Sequence, residues 1–186
     1  MSDAYLLDTN VICALADANH SGHVPAQQRF QQVDPQFVLL PTMAVAEIEF
    51  GMARAANVRP EKREELRRFL GRFEQMPFDE NCVRPYSVVR AGLWWIHGTA
   101  RQRRKQLAYD EKHPEELAEK VTGRELGIDE PDLIIASVAM AQNLVLVTND
   151  TGAGMSRVRE AAEKVCRDGL FPIRLRTENW LATMSD

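Results

Sequence analysis

Short apolar runs rich in β-formers recur at Ala4–Leu7, Phe37–Leu40, Leu144–Val147 and Ile173–Leu175, and stretches with helical spacing separate them. Parallel strands buried on both faces read as continuous apolar runs and need long crossovers, which the helical stretches supply. The alternation therefore predicts an α/β domain with a mainly parallel central sheet flanked by helices. Thr42 is placed to cap a helix over about Met43–Asn57, with Pro60 beyond it as a breaker. Leu66, Phe69, Leu70 and Phe73 stand at i, i+3, i+4 and i+7 and predict a second helix. Met76-Pro77-Phe78 reads as a short edge strand and Val83 to Trp95 as a further helix. Pro131 sits where the first turn of a helix reaching about Gln142 would place it.

At 186 residues the chain suits one domain over 1–186, long enough to bury a core without disulfides or a structural metal. One segment departs from the pattern. From Ile96 to Asp129 the chain is polar and charge-dense, with Arg101, Arg103, Arg104 and Lys105 early and Glu111, Glu115, Glu116 and Glu119 later. It reads as a charged helical insertion at about 96–129, a hairpin whose second helix opens at Pro114, since a structureless loop of that length is unusual in a compact domain. Lys and Arg total 23 against 27 Asp and Glu, a formal net charge of −4, which excludes binding to nucleic acid by bulk charge but not a local basic patch. Cys13, Cys82 and Cys166 lie far apart without C-x-x-C spacing, so neither a zinc ribbon nor a disulfide framework is expected. No basic leader precedes the first strand and no apolar run approaches ~18 residues, so a soluble cytoplasmic protein, with no membrane partner, is the expectation.

Acids stand at the ends of several elements. Tyr5-Leu6-Leu7 runs straight into Asp8, and Leu144-Val145-Leu146-Val147 runs through Thr148 and Asn149 into Asp150. In open parallel sheets ligands bind outside the carboxyl ends of the strands, so both acids face the usual crevice. Asp132 lies at the start of the helix before the last of these strands, and a crossover helix begins near that same rim. Taken singly, such residues are most often turn or cap residues. Taken together they repel, and the usual reason to gather carboxylates is a hard cation with oxygen ligands. The helix from Met43 offers Glu47 and Glu49 on opposite shoulders of the apolar face formed by Val45, Ile48 and Met52, and periodicity does not choose between them. Ala44 and Gly51 share the shoulder of Glu47 and would allow close approach, which mildly favours it.

Four segments in order, Leu6-Leu7-Asp8-Thr9-Asn10, Ala46-Glu47-Ile48-Glu49-Phe50-Gly51, Pro131-Asp132-Leu133-Ile134-Ile135-Ala136 and Leu146-Val147-Thr148-Asn149-Asp150, resemble the acidic motifs of PIN-domain ribonucleases. The VapC-type toxins of bacterial toxin–antitoxin pairs are the most similar group. Tyr86, Arg90, Ala91 and Leu93, then Leu175-Arg176 and Glu178-Asn179-Trp180-Leu181, extend the likeness, which covers roughly residues 1–95 and 128–183. Two departures stand out: the long Ile96–Asp129 segment, and Thr151-Gly152-Ala153-Gly154-Met155 where the family usually has a Phe soon after its fourth motif.

The resemblance implies a PIN-like three-layer fold and a metal-dependent endoribonuclease. Its E-L-x-x-G motif selects Glu47 over Glu49. Asp8, Glu47, Asp132 and Asp150 would be the catalytic acids and hold one or two Mg²⁺ or Mn²⁺ ions, with either Asp132 or Asp150 orienting the attacking water. Thr9, Asn10, Thr148 and Asn149 would support them by hydrogen bonds, though they equally suit turn capping. Partners implied are an RNA substrate (tRNA or rRNA by family likeness), a cognate antitoxin protein and a second copy of the chain. Arg101, Arg103, Arg104 and Lys105 are candidate RNA phosphate contacts, against a solvated helix face. His20 and His23 straddle Gly22 and read as loop residues rather than metal ligands, while Trp94 and Trp95 point opposite ways around a helix, so one should be exposed. A receiver-like signalling domain also gathers acids at strand ends, but the Lys it needs after a later strand is missing. A catalytically silent PIN-like RNA- or protein-binding scaffold is the other alternative, and four retained acids argue against it.

Overall fold

A computed structural model describes residues 3–55, 58–99 and 122–182. Five strands, β1 (Tyr5–Leu7), β2 (Val38–Pro41), β3 (Glu74–Met76), β4 (Val145–Val147) and β5 (Arg176–Glu178), form one sheet in the order β3-β2-β1-β4-β5. All four pairings are parallel, with Leu6 opposite Leu39 on one side and Leu146 on the other. The chain winds outward from β1 through β2 to β3, then returns to lay β4 on the other flank of β1. That reversal opens a crevice at the carboxyl ends of β1 and β4.

Helices cover both faces in a PIN-like three-layer α/β arrangement. They are α1 (Thr9–Ala16), α2 (His23–Phe30), α3 (Thr42–Arg54), α4 (Pro60–Leu70), α5 (Glu80–His97), α6 (Gly123–Leu126), α7 (Glu130–Ala141) and α8 (Ala153–Arg167). The three central strands are buried along their whole length. They pack against Val11 and Ile12 of α1, Leu133 and Ile135 of α7, and Met155 and Val158 of α8, all essentially without solvent contact.

Several boundaries differ from expectation at the sheet edges and helix starts. The last strand is Arg176–Glu178, not Ile173–Leu175, and the third is Glu74–Met76, ending before Pro77 instead of spanning it. Both are edge strands with solvent on one flank, so neither carries the apolar run that marks a central strand. Thr42 is the first helical residue of α3 and not its cap; β2 runs into the helix through extended Pro41, with no side-chain cap. Pro60 opens α4, as suits a residue that has no N–H to leave unpaired. His23 begins α2, with its Nδ1 2.8 Å from the Ala14 carbonyl, and His20 Nδ1 accepts from Gly22 N, so the two rings serve chain turns. Trp94 is buried and Trp95 is 51% exposed.

The ends of the 96–129 stretch belong to the body of the domain. Ile96 and His97 complete α5, while Leu126 and Ile128 are buried in the core on either side of Gly127, whose φ of +69° closes α6. Arg101, Arg103, Arg104, Lys105 and Pro114 lie outside the described residues.

Candidate active site

Asp8 follows β1 directly and serves as the N-cap of α1, which places its carboxylate at the crevice, only 4% exposed. Its Oδ1 accepts from Thr9 N at 2.7 Å, and its Oδ2 accepts from Thr148 Oγ1 at 2.7 Å and Asn10 Nδ2 at 2.9 Å. Thr148, buried at the end of β4, also accepts at the same hydroxyl from Asp150 N at 3.0 Å. Asn10 Oδ1 accepts from Asn149 N at 3.0 Å. The tails of β1 and β4 are thus laced together through Asn10, Thr148 and Asn149, three of the four residues expected to support the acids, while Thr9 binds Asp8 and Glu47 instead.

Glu47 projects from α3 toward α1, where Thr9 Oγ1 donates to its Oε2 at 2.7 Å. Glu49 turns the other way and takes both Nε and Nη2 of Arg67 from α4, at 2.9 Å each. Periodicity leaves these two glutamates equivalent; the packing of α4 separates them. Asp150 Oδ1 accepts from Gly152 N at 2.6 Å, and Arg159 Nη2 on α8 donates to the Asp150 carbonyl at 3.2 Å.

Asp132 is half-buried in the first turn of α7. Burial pushes its carboxyl up to about 7, with the charges of Asp8, Asp150, Asp129 and Glu47 adding to the shift. Burial likewise raises the Asp8 carboxyl, against the opposing donors Thr148, Thr9 and Asn10. The four expected acids therefore share one electrostatic neighbourhood. Among the described residues none of the four forms an ion pair.

Three further residues belong to this rim, and none was given a role from sequence, although Asn179 lies in the Glu178-Asn179-Trp180-Leu181 stretch that extends the likeness. Asp129 adds charge beside Asp132, a hint present in the run Asp129-Glu130-Pro131-Asp132. Asn179 Nδ2 donates to Asn149 Oδ1 at 2.9 Å, and Arg159 braces the Asp150 backbone; both come from elements distant in sequence, and Arg159 carries no local signal. Glu130 is drawn away by Tyr86 and Arg90 of α5, which anchors the start of α7. The Cys13 thiol is pushed up by burial and by Asp8, Asp17 and Glu47, so it stays protonated and is a poor nucleophile.

A hard divalent cation fits this donor set: carboxylate oxygens held by neutral hydroxyl, amide and backbone donors, with net negative charge left over. Among the described residues no three acidic, imidazole or thiol groups lie so that they could hold an ion by themselves, so water or substrate oxygens would have to complete its coordination.

A family model described as PIN domain matches residues 5–161. This chain belongs to the PIN domain family. Among solved structures, this PIN domain is similar to FitAcB from Neisseria gonorrhoeae, with a TM-score of 0.60 and 21% identity over 96% of this chain and 99% of that one. DNA-bound VapBC from Salmonella typhimurium matches with a TM-score of 0.59 and 17% identity, over 96% and 99%. VapBC2 from Rickettsia felis, bound to a DNA fragment from their promoter, matches at 0.55 and 21%, over 95% and 98%. At these identities the likeness is one of fold. None of the curated proteins compared matches this PIN domain. No helix among its described residues is long and apolar enough to cross a membrane.

Proposed function

We propose that this PIN domain is a metal-dependent endoribonuclease that hydrolyses RNA phosphodiester bonds and acts in the cytoplasm as the toxin of a type II toxin–antitoxin pair. One observation carries the nuclease reading: Asp8, Glu47, Asp132 and Asp150 come from separate elements to the switch-point crevice, and among the described residues none of them forms an ion pair. Its similarity to VapBC and FitAcB structures supports the toxin reading and a protein antitoxin as partner; RNA and a second copy of the chain are the further partners of this proposal.

Asp8, Glu47, Asp132 and Asp150 would hold Mg²⁺ or Mn²⁺, which when bound lowers the pKa of a water ligand and offsets charge on the phosphoryl oxygens. The chain's own task is to keep those oxygens in place. Thr148, Thr9 N–H and Asn10 fix both oxygens of Asp8, Thr9 Oγ1 fixes Glu47, and the Gly152 N–H fixes Asp150. Asp132 has no hydrogen bond of this kind among the described residues and its carboxyl is pushed up to about 7, which suits it to orient an attacking water.

The test is incubation of the purified full chain with structured RNAs in Mg²⁺, in Mn²⁺ and in excess chelator. Endonucleolytic products should form with either metal, vanish with chelator and return when metal is restored. Undiminished cleavage in chelator would remove the metal from the mechanism, and intact RNA under every condition would favour a silent scaffold.

A further inference from the structure

We propose that Phe50 and Arg54, on the face of α3 that carries Glu47, form a stacking platform for a base of single-stranded RNA beside the scissile phosphate. The proposal rests on the nuclease reading above and says how its substrate is gripped.

Residues i, i+3 and i+7 of a helix share a face, so Glu47, Phe50 and Arg54 lie along one stripe of α3. Ile48 and Met52 bury the other side of the helix in the core, yet Phe50 is 65% exposed. The Arg54 guanidinium sits 5.7 Å from the ring centroid. Among the described residues Arg54 forms no ion pair, whereas Arg67 on the neighbouring helix is committed to Glu49. The helix surface next to Phe50 at Gly51 is open as well, since a Cβ there would meet nothing within 4 Å. Along the helix axis the backbone of Phe50 stands about 4.5 Å and that of Arg54 about 10.5 Å from that of Glu47.

Chemistry favours a nucleic acid over a protein on this stripe. A flat π-face takes any base, and a cation beside it takes the flanking phosphate, a pairing single-strand binders use without sequence preference. A docked protein needs about 800 Å² of contact, and the exposed neighbours of Phe50 are Ala46, Gly51 and Ala53, which offer little area. The crevice itself repels phosphate until its acids are neutralised, so a cationic platform at its lip gives the strand a foothold outside the acid cluster.

The experiment measures fluorescence anisotropy of a short fluorescein-labelled single-stranded RNA of mixed sequence with the full chain carrying Asp132→Asn to suppress cutting, in Mg²⁺. Adding Phe50→Ala or Phe50→Leu should raise Kd about 5- to 100-fold, and Phe50→Trp should restore it. Arg54→Ala should weaken binding and flatten its salt dependence by about one phosphate contact. Melting temperatures should stay near that of the parent, because the ring is exposed. Equal binding by the parent, Phe50→Ala and Phe50→Leu would overturn this proposal alone. A fall in mass by light scattering with Phe50→Ala, at unchanged RNA affinity, would make the stripe an interface between copies and overturn it too. No RNA binding by the parent or by the unsubstituted chain would overturn the platform and the nuclease reading together.

Discussion

Asp8 and Asp132 hold their charge in opposite ways. Asp8 is buried but met by three donors; Asp132 is less buried, has no such donors among the described residues and faces four acids. The sign of the linkage follows. Folding raises the Asp132 carboxyl from 3.8 to about 7, so between about pH 4 and pH 7 the native state binds more protons than the unfolded one. Metal-free stability should therefore fall as pH rises through that window, by about 1–2 kcal/mol once solvent screening of a partly exposed group is allowed for. Urea titrations in chelator at pH 4.5 and 7.5 check this, and Asp132→Asn should lose most of the difference. Thr148→Val tests the other acid. It keeps the shape of a buried residue but strips Asp8 of one donor and the Asp150 N–H of its acceptor. The expected cost is about 1–3 kcal/mol, with a large loss of RNA cleavage, measured by thermal melting and by the nuclease assay.

Elements explain what could be read in the sequence and what could not. Tyr5–Leu7, Val38–Pro41 and Val145–Val147 are central strands, and continuous burial writes itself as continuous apolar sequence. Glu74–Met76 and Arg176–Glu178 are edges, and their polar side chains leave the position of the strand unmarked. The α8 stripe of Met155, Val158, Ala162 and Val165 is visible in hindsight, but the Gly-rich start at Thr151–Gly154 hides where the helix begins. Three of the four acids are legible from strand ends and a Pro-led helix start; Glu47 is favoured only mildly by Ala44 and Gly51 and needs the family motif, because its separation from Glu49 comes from the docking of α4 on one side and α1 on the other. Two glycines give contrasting element-scale expectations. Gly51→Ala meets open space in a helix interior and should stabilise by roughly 0.5–1 kcal/mol. Gly127→Ala forces a side chain onto a φ of +69° and against Arg157, and should destabilise by about 1–2 kcal/mol while disturbing the approach to α7. Melting curves of the two variants check the opposite signs.

At the scale of the whole molecule, the described residues alone make a doubly flanked sheet that places acids from the β1 tail, α3, α7 and the β4 tail at one rim, and we propose that residues 100–121 are an addition to that frame. Replacing residues 100–121 with a short Gly-containing loop, keeping the buried Leu126 and Ile128, should leave a cooperatively folding domain with altered RNA choice or antitoxin affinity. Circular dichroism melting and binding assays on the shortened chain check both halves. The central claim, that the four acids are a cation-dependent active centre, is tested most directly by Asp132→Asn. The measurement is its melting temperature with and without Mg²⁺ beside RNA cleavage by the same preparation. The account predicts an apo melting temperature equal to or above wild type, a smaller rise on adding Mg²⁺, and cleavage largely abolished. Wild-type cleavage with an unchanged Mg²⁺ response would contradict it, since Asn caps a helix as well as Asp and only a structural role would survive the exchange.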